Sequence, residues 1–196
     1  MKVVFNFVFA AALFATLAAG ASRAEAETTY FTTRGVLKEF FSDSDKVTYQ
    51  RFTPTKDERK TLQKRLGYAL AKNSYVFYVA KTGDVVDGYA FIGEELGQHL
   101  PITFAVKLSP AGKVLRQEIM VYREQRGDEV RDKRFRDQFK GKTADDPIVA
   151  NDDIDCISGA TISSHAMVVG VRRAVVLFDE AISSRPPVRV SRASKN

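Results

Sequence analysis

Residues 74–93 read S-Y-V-F-Y-V-A-K-T-G-D-V-V-D-G-Y-A-F-I-G. Two β-branched and aromatic runs flank a T-G-D turn at 82–84, the pattern of a β-hairpin. Downstream, I-T-F-A-V-K-L (102–108) is a third strand, S-P-A-G-K (109–113) a turn, and V-L-R-Q-E-I-M-V-Y (114–122) a fourth strand. In that fourth strand a period of two puts Val114, Arg116, Glu118, Met120 and Tyr122 on one face. Leu115, Gln117, Ile119 and Val121 take the other, so neither face is wholly apolar.

Outside the hairpin the period changes. Upstream, Thr55 is placed to cap a helix over 56–70, with Asp57 and Glu58 in its first turn. Leu62, Leu66, Ala69 and Leu70 form its apolar stripe. G-V-L-K-E-F-F (35–41) reads as a short helix within a segment, 27–53, of scattered aromatics. Downstream, D-E-V-R-D-K-R-F-R-D-Q-F (128–139) reads as a charged helix with Val130, Phe135 and Phe139 on its apolar side. Residues 141–155 form a loop. A last helix is expected from about Ser163 to Ser183, with Met167, Val171, Ala174, Phe178 and Ala181 at helical spacing. The order of elements predicts an α+β fold, a mostly antiparallel sheet flanked by helices.

Composition sets further bounds. The chain has 196 residues and a net charge of +6 without a Lys/Arg block, which argues against a nucleic-acid binder. With Cys156 as the one cysteine, neither an intramolecular disulfide nor a thiolate metal cluster can form. His99 and His165 are too few for a His-rich metal site. Residues 3–20 are almost wholly apolar, and Ala24-Glu25-Ala26 supplies an A-x-A site. That layout predicts a cleavable signal peptide, with export to the periplasm and a mature chain from Glu27. The alternative is an uncleaved N-terminal membrane anchor. The expected organisation is a signal peptide (1–26), an N-terminal extension of helix and strand (27–80), a principal domain (81–183) and a basic, Pro-broken, disordered tail (184–196).

Between the loop and the last helix stands D-C-I-S-G-A-T-I-S-S (155–164). Small residues let a backbone come close to a ligand, and the first N–H groups of a helix attract anions. Gly159 and Ala160, with the hydroxyls of Ser158, Thr161, Ser163 and Ser164, therefore suit a phosphate seat. Ser and Thr before an apolar helix equally describe an ordinary N-cap, and the residues alone leave both readings open. The spacing of a Walker-type loop is missing.

Asp155-x-x-Ser158-Gly159-Ala160-Thr161 resembles the flavinylation motif of the FMN-binding domain family. That family includes the C subunit of sodium-translocating NADH:quinone reductase and the G subunit of the Rnf complex. The likeness extends over residues 85–180 in the order of its elements. It implies an FMN-binding-domain-like fold and an FMN joined through its phosphate to Thr161 as a phosphoester. Asp155, Ser158, Gly159 and Ala160 would be the sequence a flavin transferase recognises. Tyr122, Arg123 and Glu124 fall where the family approaches the flavin ring, and His165, one turn past Thr161, is a further candidate contact. Y-R-E-Q-R-G (122–127) departs from the family's H-x-E-T-P-G segment, although Glu124 and Gly127 keep its Glu and Gly. The departure points to small stand-alone envelope proteins rather than to either complex.

The resemblance implies an exported electron carrier working with membrane or periplasmic redox proteins. An FMN-dependent periplasmic reductase acting on a small molecule is the alternative; it would need a proton donor such as Tyr122, His165 or Glu124 beside the ring. A flavin-free module with a merely capped helix is a third reading. Cys156, at a variable motif position, reads as a small filler.

Overall fold

The computed structural model describes residues 27–184; the expected signal peptide, and the tail beyond Ser184, lie outside the described residues. Six strands form one antiparallel sheet in the order β1-β6-β5-β4-β3-β2. They are β1 (Thr28–Thr29), β2 (Lys46–Phe52), β3 (Tyr75–Thr82), β4 (Val85–Leu96), β5 (Pro101–Leu108) and β6 (Val114–Tyr122). Strands β2 to β6 run as a meander, and β1 returns to pair beside β6. The hairpin expected at 74–93 is β3–β4, so the α+β expectation holds. The boundary expected between residues 80 and 81 falls inside β3, and the segment before it supplies β1 and β2 to the same sheet.

Helices cover both faces. On one, α1 (Thr33–Phe40) sets Val36 and Phe40 against Ala80, Ala90, Ala105 and Met120. The small alanines let the helix lie close to the strands. The other face carries the larger core, packed beneath α2 (Lys56–Leu66), α3 (Lys133–Asp137) and α4 (Thr161–Phe178). Thr161–Ser183 has the length and apolarity of a membrane span, and 67% of its most apolar window is buried inside the fold. Packing as a core helix accounts for that composition.

Helix α2 is bounded as its sequence dictates. The Thr55 hydroxyl accepts from the Glu58 N–H, the Glu58 carboxylate accepts from the Thr55 N–H, and Gly67 closes the helix at φ 86°. The expected continuation to Leu70 therefore stops at Leu66. Thr55→Ala is expected to cost about 1 kcal/mol in denaturant unfolding, through loss of the cap.

Three further expectations need correction. The first concerns the faces of β6. Phe104 pairs with Ile119 and Thr103 with Val121; Lys107 pairs with Arg116 and Leu108 with Val114. Met120 and Leu115 are thus extra residues at two bulges, and each bulge resets the alternation. Met120 joins the α1 face, while Val114, Ile119 and Tyr122 share the α4 face. The second concerns residues 128–139, which do not form one helix. A 3-10 turn (Asp128–Arg131) ends at Asp132, whose backbone is extended and whose carboxylate accepts from the Arg134 N–H, starting α3 afresh. Val130, Phe135 and Phe139 are still buried, as expected. The third concerns the last helix, which begins two residues early, making Thr161 its first helical residue, and passes at Asp179 into a π turn.

Candidate functional site

The motif turn is held by backbone clamps. Asp155 donates its N–H to Gln138 Oε1 at 2.8 Å, and its carbonyl accepts from Gln138 Nε2 at 3.1 Å. Two residues on, the Ile157 N–H donates to Ser164 Oγ at 3.1 Å, and that hydroxyl donates to the Ala160 carbonyl at 2.9 Å. Ser164 is fully buried and ties the turn to the first turn of α4. Gly159 reaches φ 87°, a conformation costly for a residue with a Cβ, and the space around it is open.

These clamps leave the end of α4 bare. Ala160 is its N-cap residue, so no side chain caps the first N–H groups. The ordinary cap that the sequence allowed is not formed. Thr161 is exposed, and its hydroxyl makes one long contact, 3.5 Å to the Ile157 carbonyl. Such a bond is at the limit of useful geometry.

Opposite the helix end, the segment after β6 forms the second wall. The Tyr122 hydroxyl lies 2.5 Å from the Arg126 carbonyl and 2.8 Å from Ser163 Oγ. Gly127, at φ 96°, packs on both hydroxyls; a Cβ there would lie 2.6 Å from Ser163 Oγ and 2.7 Å from Tyr122 Oη. Glu124 reaches back to the β4–β5 turn, where its Oε1 accepts from the N–H of His99 at 2.6 Å and of Leu100 at 2.9 Å. Burial pushes the Glu124 carboxyl up, but these N–H donors outweigh it and hold the group below its ordinary value.

Between the walls runs a groove of about 310 Å³, with Gln98, Glu124, Arg126 and Gly127 on one side and residues 159–163 on the other. A neighbouring hollow of about 350 Å³ shares Gln98, Glu124 and Arg126 and adds His99 and Gln125. Either volume lies in the range of small-molecule sites, about 300–1,000 Å³. Ile162, 50% exposed, gives the groove an apolar surface. A separate cavity of about 320 Å³ opens where β3 and β4 diverge, beside the Glu95–Arg173 ion pair, and no motif residue lines it.

The sequence candidates divide accordingly. Gly159, Ala160, Thr161, Ser163 and Glu124 line the groove. Ser158 and Asp155 are exposed on the turn beside it. Tyr122 and Ser164 are buried and bonded within the scaffold, and the Ser163 hydroxyl is engaged by Tyr122. His165 is exposed and does not line the groove. Arg123 instead ties Glu27 to the Pro101 carbonyl and Thr103. Cys156 is half-buried, and burial pushes its thiol up, as suits a filler. Sequence reasoning does not single out Gln98 or Arg126. Nothing local marks either residue, and both are brought to the site by the groove.

The carboxylate of Glu124 gives the wall a pH dependence. Its folded value is lowered, so its contribution is complete above the ordinary value of 4.5 and is lost as pH falls below it. Protection of the His99 and Leu100 amides, relative to their intrinsic exchange rates, is expected to fall across that window, and Glu124→Gln to remove the dependence.

The groove lies in the part of the chain that resembles known proteins. Residues 97–176 match the sequence model of the FMN-binding domain. The G subunit of the proton-translocating ferredoxin:NAD(+) oxidoreductase complex of Clostridium ljungdahlii is 35% identical over 107 residues, which cover 50% of this chain and 57% of that protein. The chain thus spans little more than half the length of that curated relative. The crystal structure of NqrC from Shewanella oneidensis shares the fold at a TM-score of 0.51 and 14% identity, over 74% of this chain and 86% of that one. The segment that matches the FMN-binding domain model opens at the β4–β5 turn, closes in α4 and contains both walls of the groove.

Proposed function

We propose that this chain is an exported electron carrier whose FMN is attached through its phosphate to Thr161. The observation that carries the reading is the placement of the Asp155–Thr161 motif: Thr161 is exposed at the uncapped start of α4 and opens onto the groove. The donor set fits a phosphate. Free N–H groups and the positive end of the helix dipole lie at Thr161. Ile162 offers apolar surface to a flat ring.

Attachment needs FAD and a flavin transferase. The Thr161 oxygen bonds to the FMN-side phosphorus, the bond to the AMP phosphate breaks, AMP leaves and the hydroxyl proton is released. On the protein side the loss is small, since that hydroxyl donates one 3.5 Å contact. Bound FMN supplies one- or two-electron redox chemistry. The chain's part is to seat the phosphate, keep the groove walls rigid through Tyr122, Ser163 and Glu124, and prevent loss of the cofactor after export. Partners would be membrane or periplasmic redox proteins.

The groove favours a carrier over a reductase. Tyr122 and His165, the proton donors a reductase would call on, do not line it, and Glu124 is held in its ionised form. Intact-protein mass spectrometry under denaturing conditions tests the proposal, on chain produced with its N-terminal segment and a flavin transferase. An increase of one FMN less water, mapped to the peptide holding Thr161, is expected. An unmodified chain from that host would refute covalent attachment.

A further inference from the structure

We infer that Arg126 is a positioning residue that docks the flavin phosphodiester into the groove, an inference that rests on the attachment proposed above. The first observation is an exposed cation with no partner among the described residues. Among the described residues the Arg126 guanidinium has no hydrogen bond or ion pair, although its backbone is fixed by the Tyr122 hydroxyl on its carbonyl. Most other arginines near the site are engaged: Arg123 with Glu27 and Thr103, and Arg136 with Glu118 and the Gln117 carbonyl.

The second observation is electrostatic. The groove that Arg126 lines also holds the bare N-terminus of α4, equivalent to about half a positive charge. Two positive groups sharing a groove repel unless an anion lies between them. Glu124, the acidic residue of the same wall, has one carboxylate oxygen taken by the N–H groups of His99 and Leu100. A phosphodiester on Thr161 brings one negative charge to the remaining gap, and a guanidinium matches two phosphate oxygens in a planar fork.

The third observation is the rigidity of the mount. Gly127 follows Arg126 at φ 96° and is packed on Ser163 of α4, so the backbone from which Arg126 projects is locked to the helix that bears Thr161. A single ester bond leaves a flavin free to swing. Arg126 converts the tether into a seat, holding the cofactor against the wall during encounters with redox partners.

The test uses the flavinylated wild-type chain, Arg126→Gln and Arg126→Lys. Intact mass gives attachment, circular dichroism gives folding, and quenching of flavin fluorescence by neutral acrylamide gives exposure. Attachment is expected to be equal in all three. Arg126→Gln is expected to lower the ratio of docked to free flavin about tenfold, the loss of one charge-assisted contact, seen as stronger quenching and lower fluorescence anisotropy. Arg126→Lys is expected to restore part of both signals at low salt and less at high salt. Equal attachment with unchanged quenching and anisotropy in Arg126→Gln would overturn the docking role and leave the attachment proposal standing. A folded Arg126→Gln chain that is not flavinylated would also overturn it, moving Arg126 to the transfer step. A wild-type chain without adduct would overturn attachment, and docking with it.

Discussion

Thr161→Ala is expected to carry no flavin after denaturation, while the wild-type chain made beside it carries one per molecule. The effect is all-or-none because the ester needs the hydroxyl oxygen, and neither buried Ser163 nor buried Ser164 presents a substitute. Stability gives the same substitution a second use. If the Thr161 hydroxyl were a helix cap, its loss would cost about 1 kcal/mol. Since Ala160 is the N-cap residue and Thr161 makes one 3.5 Å contact, the unmodified Thr161→Ala chain is expected to unfold within about 0.5 kcal/mol of wild type. Full loss of adduct with unchanged stability separates a modification site from a structural residue. Retained adduct would place attachment elsewhere, and a large loss of stability would return Thr161 to a capping role.

Gly127→Ala is expected to be the most damaging single-atom addition near the groove. Two costs combine: an alanine held at φ 96°, and a Cβ 2.6 Å from Ser163 Oγ and 2.7 Å from Tyr122 Oη. Strain and overpacking together are expected to cost about 3 kcal/mol. For a domain of this size that lowers Tm by about 6–12 °C. Gly159→Ala is the control. It sits at φ 87°, but nothing lies within 4 Å of the added atom, so about 1 kcal/mol is expected. Thermal unfolding of the two unmodified variants measures the difference. Equal losses would mean that the Tyr122–Ser163 latch yields easily and does not set the groove.

Much of the architecture is legible along the chain because it rests on local rules. The β3–β4 hairpin follows from β-branched and aromatic runs about a turn, and the start of α2 from Thr55 and Glu58, whereas its end at Gly67 falls inside the helix expected to run to Leu70. Strand β2 is not legible, because six of its seven residues are exposed and an edge strand of that kind has no apolar alternation to read. The faces of β6 escape the sequence for a related reason: period-two counting holds only in an unbroken ladder, and the bulges at Leu115 and Met120 depend on where β5 lies.

The sequence by itself determined the α+β class and the helix that follows the motif, since each follows from neighbours a few positions apart. Only the tertiary structure decided which hydroxyls remain available. It turned Ser163 inward to Tyr122 and Ser164 inward to Ile157 and Ala160, left Thr161 exposed on an uncapped helix, and set Arg126 in the same groove. Arg126 and Thr161 lie 35 positions apart in the chain. They line one groove because the segment after β6 is packed against the start of α4, and sequence periodicity carries no information about that packing.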